Sequence, residues 1–182
     1  PQRDRASTHC VLAAHNSTDS PVELEVYSDA DWAGCPNSRK STSGYCLLLH
    51  GNLVHSASRT QQSVALSSAE SELYALCSAA TDALFLKNLL EEGHFTQQLV
   101  TLHLHTDNSA ALARLGPGRK SKHIQLRFLF LQELVQSGLV HLKKVRTELN
   151  PADLFTKFLS KDLIQRHSGS IGVRTVSEDF SL

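Results

Sequence analysis

The sequence predicts an α/β domain in which a mixed sheet carries helices on its faces. Three observations predict it. Stretches of period-2 alternation, the mark of strands, share the chain with stretches of helical period. In the second half, strands and helices interleave, as they do when helices cross over a sheet. The first three strands follow one another across turns alone, as in an antiparallel meander.

Taken in order, residues 1–22 show no sustained period and are rich in Ser, Thr, Asn and Asp. They read as a linker or the remnant of a preceding domain, which leaves the main domain over 23–160. Val22, Leu24 and Val26 alternate up to Asp29 as the first strand. DWAGCPNSRKSTSG is turn-rich, and YCLLLHGNLVHSASR then reads as two strands joined in a hairpin at His50-Gly51-Asn52. Ser67 and Glu70 stand at N-cap and N3 spacing, where hydroxyl and carboxylate satisfy amides that lack an intrahelical partner. Leu73, Leu76, Cys77, Ala80, Leu84 and Leu90 continue as an apolar stripe that ends near Gly93. Residues 99–106 alternate as a fourth strand, and 108–115 form a short helix stopped by Gly116-Pro117-Gly118. Ile124, Phe128, Leu131, Leu134 and Val135 mark another amphipathic helix, closed by Gly138, and 139–145 form the fifth strand. Pro151, suited to a first helical position, opens a final helix. Residues 161–182 show weak periodicity and are expected to form a loosely packed tail.

Composition narrows the function classes. With 182 residues, the chain can bury one well-formed core, and 41% hydrophobic with 20% charged residues is ordinary for a globular domain. No stretch approaches the roughly 20 consecutive apolar residues of a membrane span, and the start lacks a secretory pattern. The four cysteines are scattered without a C-x-x-C pair, which disfavours a zinc ribbon or a disulfide scaffold and points to buried reduced thiols in an intracellular protein. The chain lacks methionine and begins with proline, as expected of a piece cut from a longer polyprotein. Net charge is zero, yet residues 114–127, RLGPGRKSKHIQLR, hold five cations and no acid, followed by Lys143, Lys144 and Arg146. Such a stripe is either a track for a phosphate backbone or a solvated face.

Four acids hold comparable structural places. Asp29 and Asp107 end strands, Glu72 lies one turn into the long helix, and Asp153 lies in the first turn of the last helix. Each taken alone is more often a cap or a surface charge than a ligand. Gathered at strand ends they would repel one another unless a cation or retained protons relieved them, and hard oxygen donors suit Mg²⁺ or Mn²⁺. Asp31 shares the Asp29 side of an extended strand, so either could face a metal. Glu70 and Glu72 are roughly 200° apart around the helix, so both cannot point into one site.

The segments VYSDADWAGCPNSRKSTSGY, ALSSAESELYAL, HTDNSAAL, SKHIQLRFLFLQE and NPADLFTK occur in that order. Together they resemble the ribonuclease H domain of copia-type LTR retrotransposon polyproteins, over about residues 26–159. The resemblance implies an RNase H-like fold: a five-stranded mixed sheet, its first three strands antiparallel, flanked by helices. It implies hydrolysis of the RNA strand of RNA–DNA hybrids during reverse transcription. The catalytic and metal-holding acids would be Asp29, Glu72, Asp107 and Asp153, with two Mg²⁺ ions, or Mn²⁺, as cofactor. Asp29 is favoured over Asp31 by the Y-S-D-A-D-W motif, and Glu72 over Glu70 by the E-L-Y-A-L context. Arg119, Lys120, Lys122, His123 and Asn108 are the expected contacts to nucleic acid, with Gln62 a further polar candidate. His123 stands equally as a brace for its loop. The implied partners are the hybrid and an adjacent reverse transcriptase domain, with no membrane. The implied location is cytoplasmic, in a virus-like particle if the parent element is active.

The sequence departs from the family at three places. The link over 145–151, VRTELNP, has no histidine of the kind many ribonucleases H carry there; Gln125 stands where an acid is usual, and Leu129 where a histidine is common. These departures motivate an alternative, a decayed RNase H-like module that binds nucleic acid without cutting. A transposase-like strand-transfer domain is disfavoured by the order Asp, Glu, Asp, Asp. His103 and His105 share the parity of Asp107 on the fourth strand; histidines two apart in a strand are more often partly buried polar residues than metal ligands. Trp32 and Tyr45 read as core or turn packing rather than base-stacking platforms.

Overall fold

The computed structural model describes residues 21–115 and 126–173. Five strands form one sheet in the order β3-β2-β1-β4-β5. They are β1 (Val22–Asp31), β2 (Thr42–Leu49), β3 (Asn52–Thr60), β4 (Val100–Thr106) and β5 (Val140–Lys144). The first three pair antiparallel, while β4 joins β1, and β5 joins β4, in parallel. The β2–β3 hairpin turns on His50 and Gly51, both at positive φ, the conformation whose twist matches that of the flanking strands.

Helix α1 (Ser68–Glu92) supplies more of the core on one face of the sheet than any other helix. The Ser67 hydroxyl accepts the Glu70 amide at 3.2 Å, and the Glu70 carboxylate reaches back to the Leu66 amide at 2.8 Å. Its Leu73 and Leu76 pack with Leu24, Val26, Leu102 and Leu104 of the central strands. Each such leucine gains about 1.5–3 kcal/mol from burial, and Leu76→Ala would cost about 2–5 kcal/mol. By length and hydropathy α1 also matches a membrane-crossing helix, but here its apolar face is spent on the sheet. Helix α2 (Ser109–Leu115) and helix α3 (Leu126–Gln136) complete this layer through Ala111, Leu115, Phe128 and Leu131.

Two expectations for the C-terminal part differ from what is found. Pro151 opens a helix as expected, a short 3-10 one over Pro151–Phe155, but it is not the final one. Residues 161–170, expected within a loose tail, form α4 (Lys161–Ser170), capped by Ser160. The helix is hard to read from sequence because it is polar overall: Leu163 and Ile164 are its apolar residues, and the residue it buries is His167. His167 is buried in it, Ile171 joins Cys46 and Leu48 in a second small core on the opposite sheet face, and the Leu53 amide donates to the Ile171 carbonyl. Residues 1–20 and 174–182, the rest of the expected linker and tail, lie outside the described residues. Of the cysteines described, Cys46 and Cys77 are buried, and burial pushes both thiols up to about 12; Cys35 is only half-buried.

Candidate active site

The site forms where β1 and β4 end together, beside the first turns of α1. Asp29 is 2% exposed on β1, and Glu72 is 5% exposed on α1. Asp107 directly follows β4. One carboxylate oxygen from each of Asp29, Glu72 and Asp107 lies within 4.8 Å of the others. The Ala30 amide donates to Glu72 Oε1 at 3.3 Å, whereas Glu72 Oε2 is buried without a hydrogen-bond partner. Burial, reinforced by the charges of Asp29 and Asp107, pushes the Glu72 carboxyl up to about 8, against the opposing pull of the Ala30 amide and Lys157. Glu70 is absent from this group because its carboxylate is taken up at the helix cap. The Asp31 carboxylate folds over the Gly34 turn, where an added Cβ would sit 1.7 Å from its Oδ2.

Asp153 reaches the cluster indirectly. Lys157 Nζ donates to Asp153 Oδ1 at 2.8 Å and lies 3.2 Å from Asp29 Oδ2, so one ammonium joins the two acids. Burial opposes the charge on Lys157, but the hydrogen bond to Asp153 and the charges of Asp29 and Asp153 outweigh it and raise the ammonium's pKa. The Thr156 hydroxyl also donates to Asp29 Oδ2. Asn150 holds this turn in place: fully buried, it donates from Nδ2 to the Ser28 carbonyl at 3.0 Å and accepts the Ala152 amide at 3.2 Å. Gly44, paired with Asp29 across β1 and β2, leaves the room the turn needs. A Cβ there would lie 2.5 Å from Thr156 Cγ2 and 3.0 Å from the Phe155 backbone.

Asn150, Thr156, Lys157 and Gly44 are the residues that sequence reasoning passed over. Asn150 before Pro151 carried a legible signal, since an N-cap side chain is expected there. Asn108 caps α2 through Oδ1, which accepts the amides of Ala110 and Ala111 at 3.0 Å each. Arg119, Lys120, Lys122 and His123 lie outside the described residues. Gln62 lines a polar cleft of about 200 Å³ with Thr60, Ser63, Arg59 and Arg127; Arg127 ends the basic stretch 114–127, while Arg59 had no role in the sequence reading. Trp32 is half-exposed and donates from Nε1 to the Ala65 carbonyl at 3.1 Å, while Tyr45 is fully buried with its hydroxyl 2.5 Å from Asp82 Oδ2.

The residues present fit a hard divalent cation. The donors are carboxylate oxygens, and the unpartnered Glu72 Oε2 is a buried acceptor that a cation would satisfy.

The strand order, the helix layer and the acids at the ends of β1 and β4 define an RNase H-like domain. Solved structures agree on the fold. The N-terminal RNase H domain of a Mycobacterium tuberculosis protein, solved as a fusion with maltose-binding protein, superposes with a TM-score of 0.54 at 15% identity, over 82% of this chain and 98% of that one. LC11-RNase H1, solved in complex with an RNA/DNA hybrid, gives 0.53 at 16% identity, over 73% of this chain and 93% of that one. No protein-family model matches the chain. In sequence it is 31% identical over 153 residues to the retrovirus-related Pol polyprotein from transposon TNT 1-94 of Nicotiana tabacum. That match takes in 80% of the chain but only 12% of the polyprotein. The chain is an RNase H-like domain of copia-type retrotransposon Pol polyproteins.

Proposed function

We propose that this domain is a divalent-metal-dependent endonuclease that hydrolyses the RNA strand of RNA–DNA hybrids, working beside a reverse transcriptase in the same polyprotein. The observation that carries the proposal is the cluster of Asp29, Glu72 and Asp107, with one buried carboxylate oxygen left unpartnered. Its relatedness to Pol polyproteins, and a fold shared with LC11-RNase H1, whose structure holds an RNA/DNA hybrid, support the substrate class.

Asp29, Glu72 and Asp107 would hold the metal, with Asp153 at the edge of the site. Bound divalent ions supply Lewis-acid activation of water and charge neutralisation at the departing 3′ oxygen. The chain's own groups keep the acids oriented: the Ala30 amide fixes one Glu72 oxygen, and the Thr156 hydroxyl fixes one Asp29 oxygen. Lys157 offsets the negative charge of Asp29 and Asp153, which lowers the cost of bringing a phosphodiester to the site. Arg119, Lys120, Lys122, His123 and Asn108 would contact the hybrid, and selectivity for RNA would come from 2′-hydroxyls and hybrid shape. Arg59 and Arg127, at the polar cleft, extend the cationic surface for phosphates.

A second reading, a module that binds hybrid without cutting, draws on Lys157, which already neutralises two of the acids without a metal. End-labelled RNA–DNA hybrid, RNA duplex and DNA duplex, each incubated with the protein in Mg²⁺ and in EDTA, separate the two. Cutting of the RNA strand of the hybrid alone, and only with Mg²⁺, supports the nuclease. Salt-sensitive hybrid binding with no cutting in either condition supports the binding module.

A further inference from the structure

The sheet face opposite α1 carries a second group of metal-type donors. Glu23 and Glu25 are two apart on β1 and so share that face, and His103 of β4 is the direct parallel partner of Glu25. One donor atom from each of Glu23, Glu25 and His103 lies within 4.8 Å of the others. Glu25 and His103 stand four residues back along their strands from Asp29 and Asp107, roughly 13 Å at the rise of a strand. This group is therefore separate from the acid cluster.

The state of His103 points to a ligand. The residue is 9% exposed, its Nδ1 is buried without a hydrogen-bond partner, and its Nε2 stands 3.9 Å from Glu23 Oε1, beyond hydrogen-bond reach. A buried imidazole nitrogen is normally satisfied, and here Nδ1 has no hydrogen-bond partner while the nearest carboxylate stands just out of range of Nε2. Glu25 is braced from its other side by a hydrogen bond between its Oε2 and His105 Nε2, the way a neighbouring group orients a ligating carboxylate. The His105 ring is in turn stacked on Tyr27 at 4.4 Å.

We propose that Glu23, Glu25 and His103 form a binding site for a borderline divalent transition-metal ion of the Zn²⁺ type. One imidazole and two carboxylates suit such an ion better than Mg²⁺, and Glu23, the exposed member, leaves room for water to complete the coordination. Donors around one Zn²⁺ stand about 3.3 Å apart, so closing the present spacing takes small rotations of the two flexible glutamates. The ion would displace Lys143, whose Nζ is 3.6 Å from Glu25 Oε1. The site does not depend on nuclease activity.

The test is a titration of the full chain with Zn²⁺, reading stoichiometry by calorimetry and the histidine ring signals by NMR. Wild type and Asp107→Asn are each expected to bind Zn²⁺ with a shift of the His103 ring. His103→Ala and Glu23→Gln are each expected to lose one bound ion, the latter substitution lying on the surface where folding is undisturbed. A stoichiometry unchanged in both of these variants, or no change at the His103 ring on saturation, overturns the proposal.

Discussion

The ammonium of Lys157 lies 3.2 Å from Asp29 Oδ2, so a buried strand carboxylate is paired with a cation that arrives from the far end of the chain. Asp29 would otherwise stand among negative neighbours with little water to solvate it. Lys157→Met should therefore destabilise the metal-free protein by about 1–3 kcal/mol, a figure reduced from that of a fully buried pair because the lysine is partly exposed. Saturating Mg²⁺ should restore much of the loss. Denaturant unfolding in EDTA and in Mg²⁺ checks this, and an equal loss in both would show that the lysine serves packing alone.

Glu72 should give metal binding its pH dependence. Its folded-state value is pushed up to about 8 from an ordinary 4.5, so between those values the folded metal-free chain holds a proton that the unfolded chain has released. Metal-free stability from this group therefore falls as pH rises through that window, and the penalty is complete above about 8. A cation needs the ionised carboxylate, so Mg²⁺ affinity should rise from pH 6 to pH 8 with proton release on binding. Calorimetry in buffers of different ionisation enthalpy reads that proton. Glu72→Gln should abolish the release and make the metal-free fold more stable at alkaline pH; a release unchanged in the variant would assign the proton elsewhere.

Gly44→Ala should impair activity more than stability. Its new methyl would meet Thr156 and the Phe155 backbone, pushing the turn that carries Asp153 and Lys157 away from Asp29. A loss of about 10–100-fold in cutting, with a melting temperature close to wild type, is expected. Unchanged cutting would mean that the turn yields without moving Lys157.

Asn150→Ala removes both the cap of that turn and its bond to Ser28. Two buried bonds to backbone place the cost at about 1–3 kcal/mol, accompanied by weaker cutting. Asn150→Asp, which keeps the cap but not the donor, should recover part of the stability. If it behaves like the alanine variant, the Ser28 bond carries the effect.

The legible parts of this molecule are those governed by local periodicity. Alternation placed β1 and β4, the Ser67–Glu70 spacing placed the start of α1, and the angle per helical residue separated Glu72 from Glu70 before any contact was known. The long-range parts were less legible. Lys157 stands within NPADLFTK, but nothing local says that its ammonium reaches Asp29 across the sequence. Gly44 read as one more turn glycine, although its purpose is the space it leaves for Thr156. Helix α4 is polar on average and the one residue it buries is a histidine, so few apolar residues stand there to mark its buried side.

The most direct test of the central claim compares wild type with Asp29→Asn and Asp107→Asn on a labelled RNA–DNA hybrid in Mg²⁺. Both substitutions preserve shape while removing a charge from the acid cluster. Each is expected to reduce RNA-strand cleavage by at least about a hundredfold while leaving the fold intact by circular dichroism. Cleavage by both variants at the wild-type rate would contradict the assignment of this cluster as the nuclease centre.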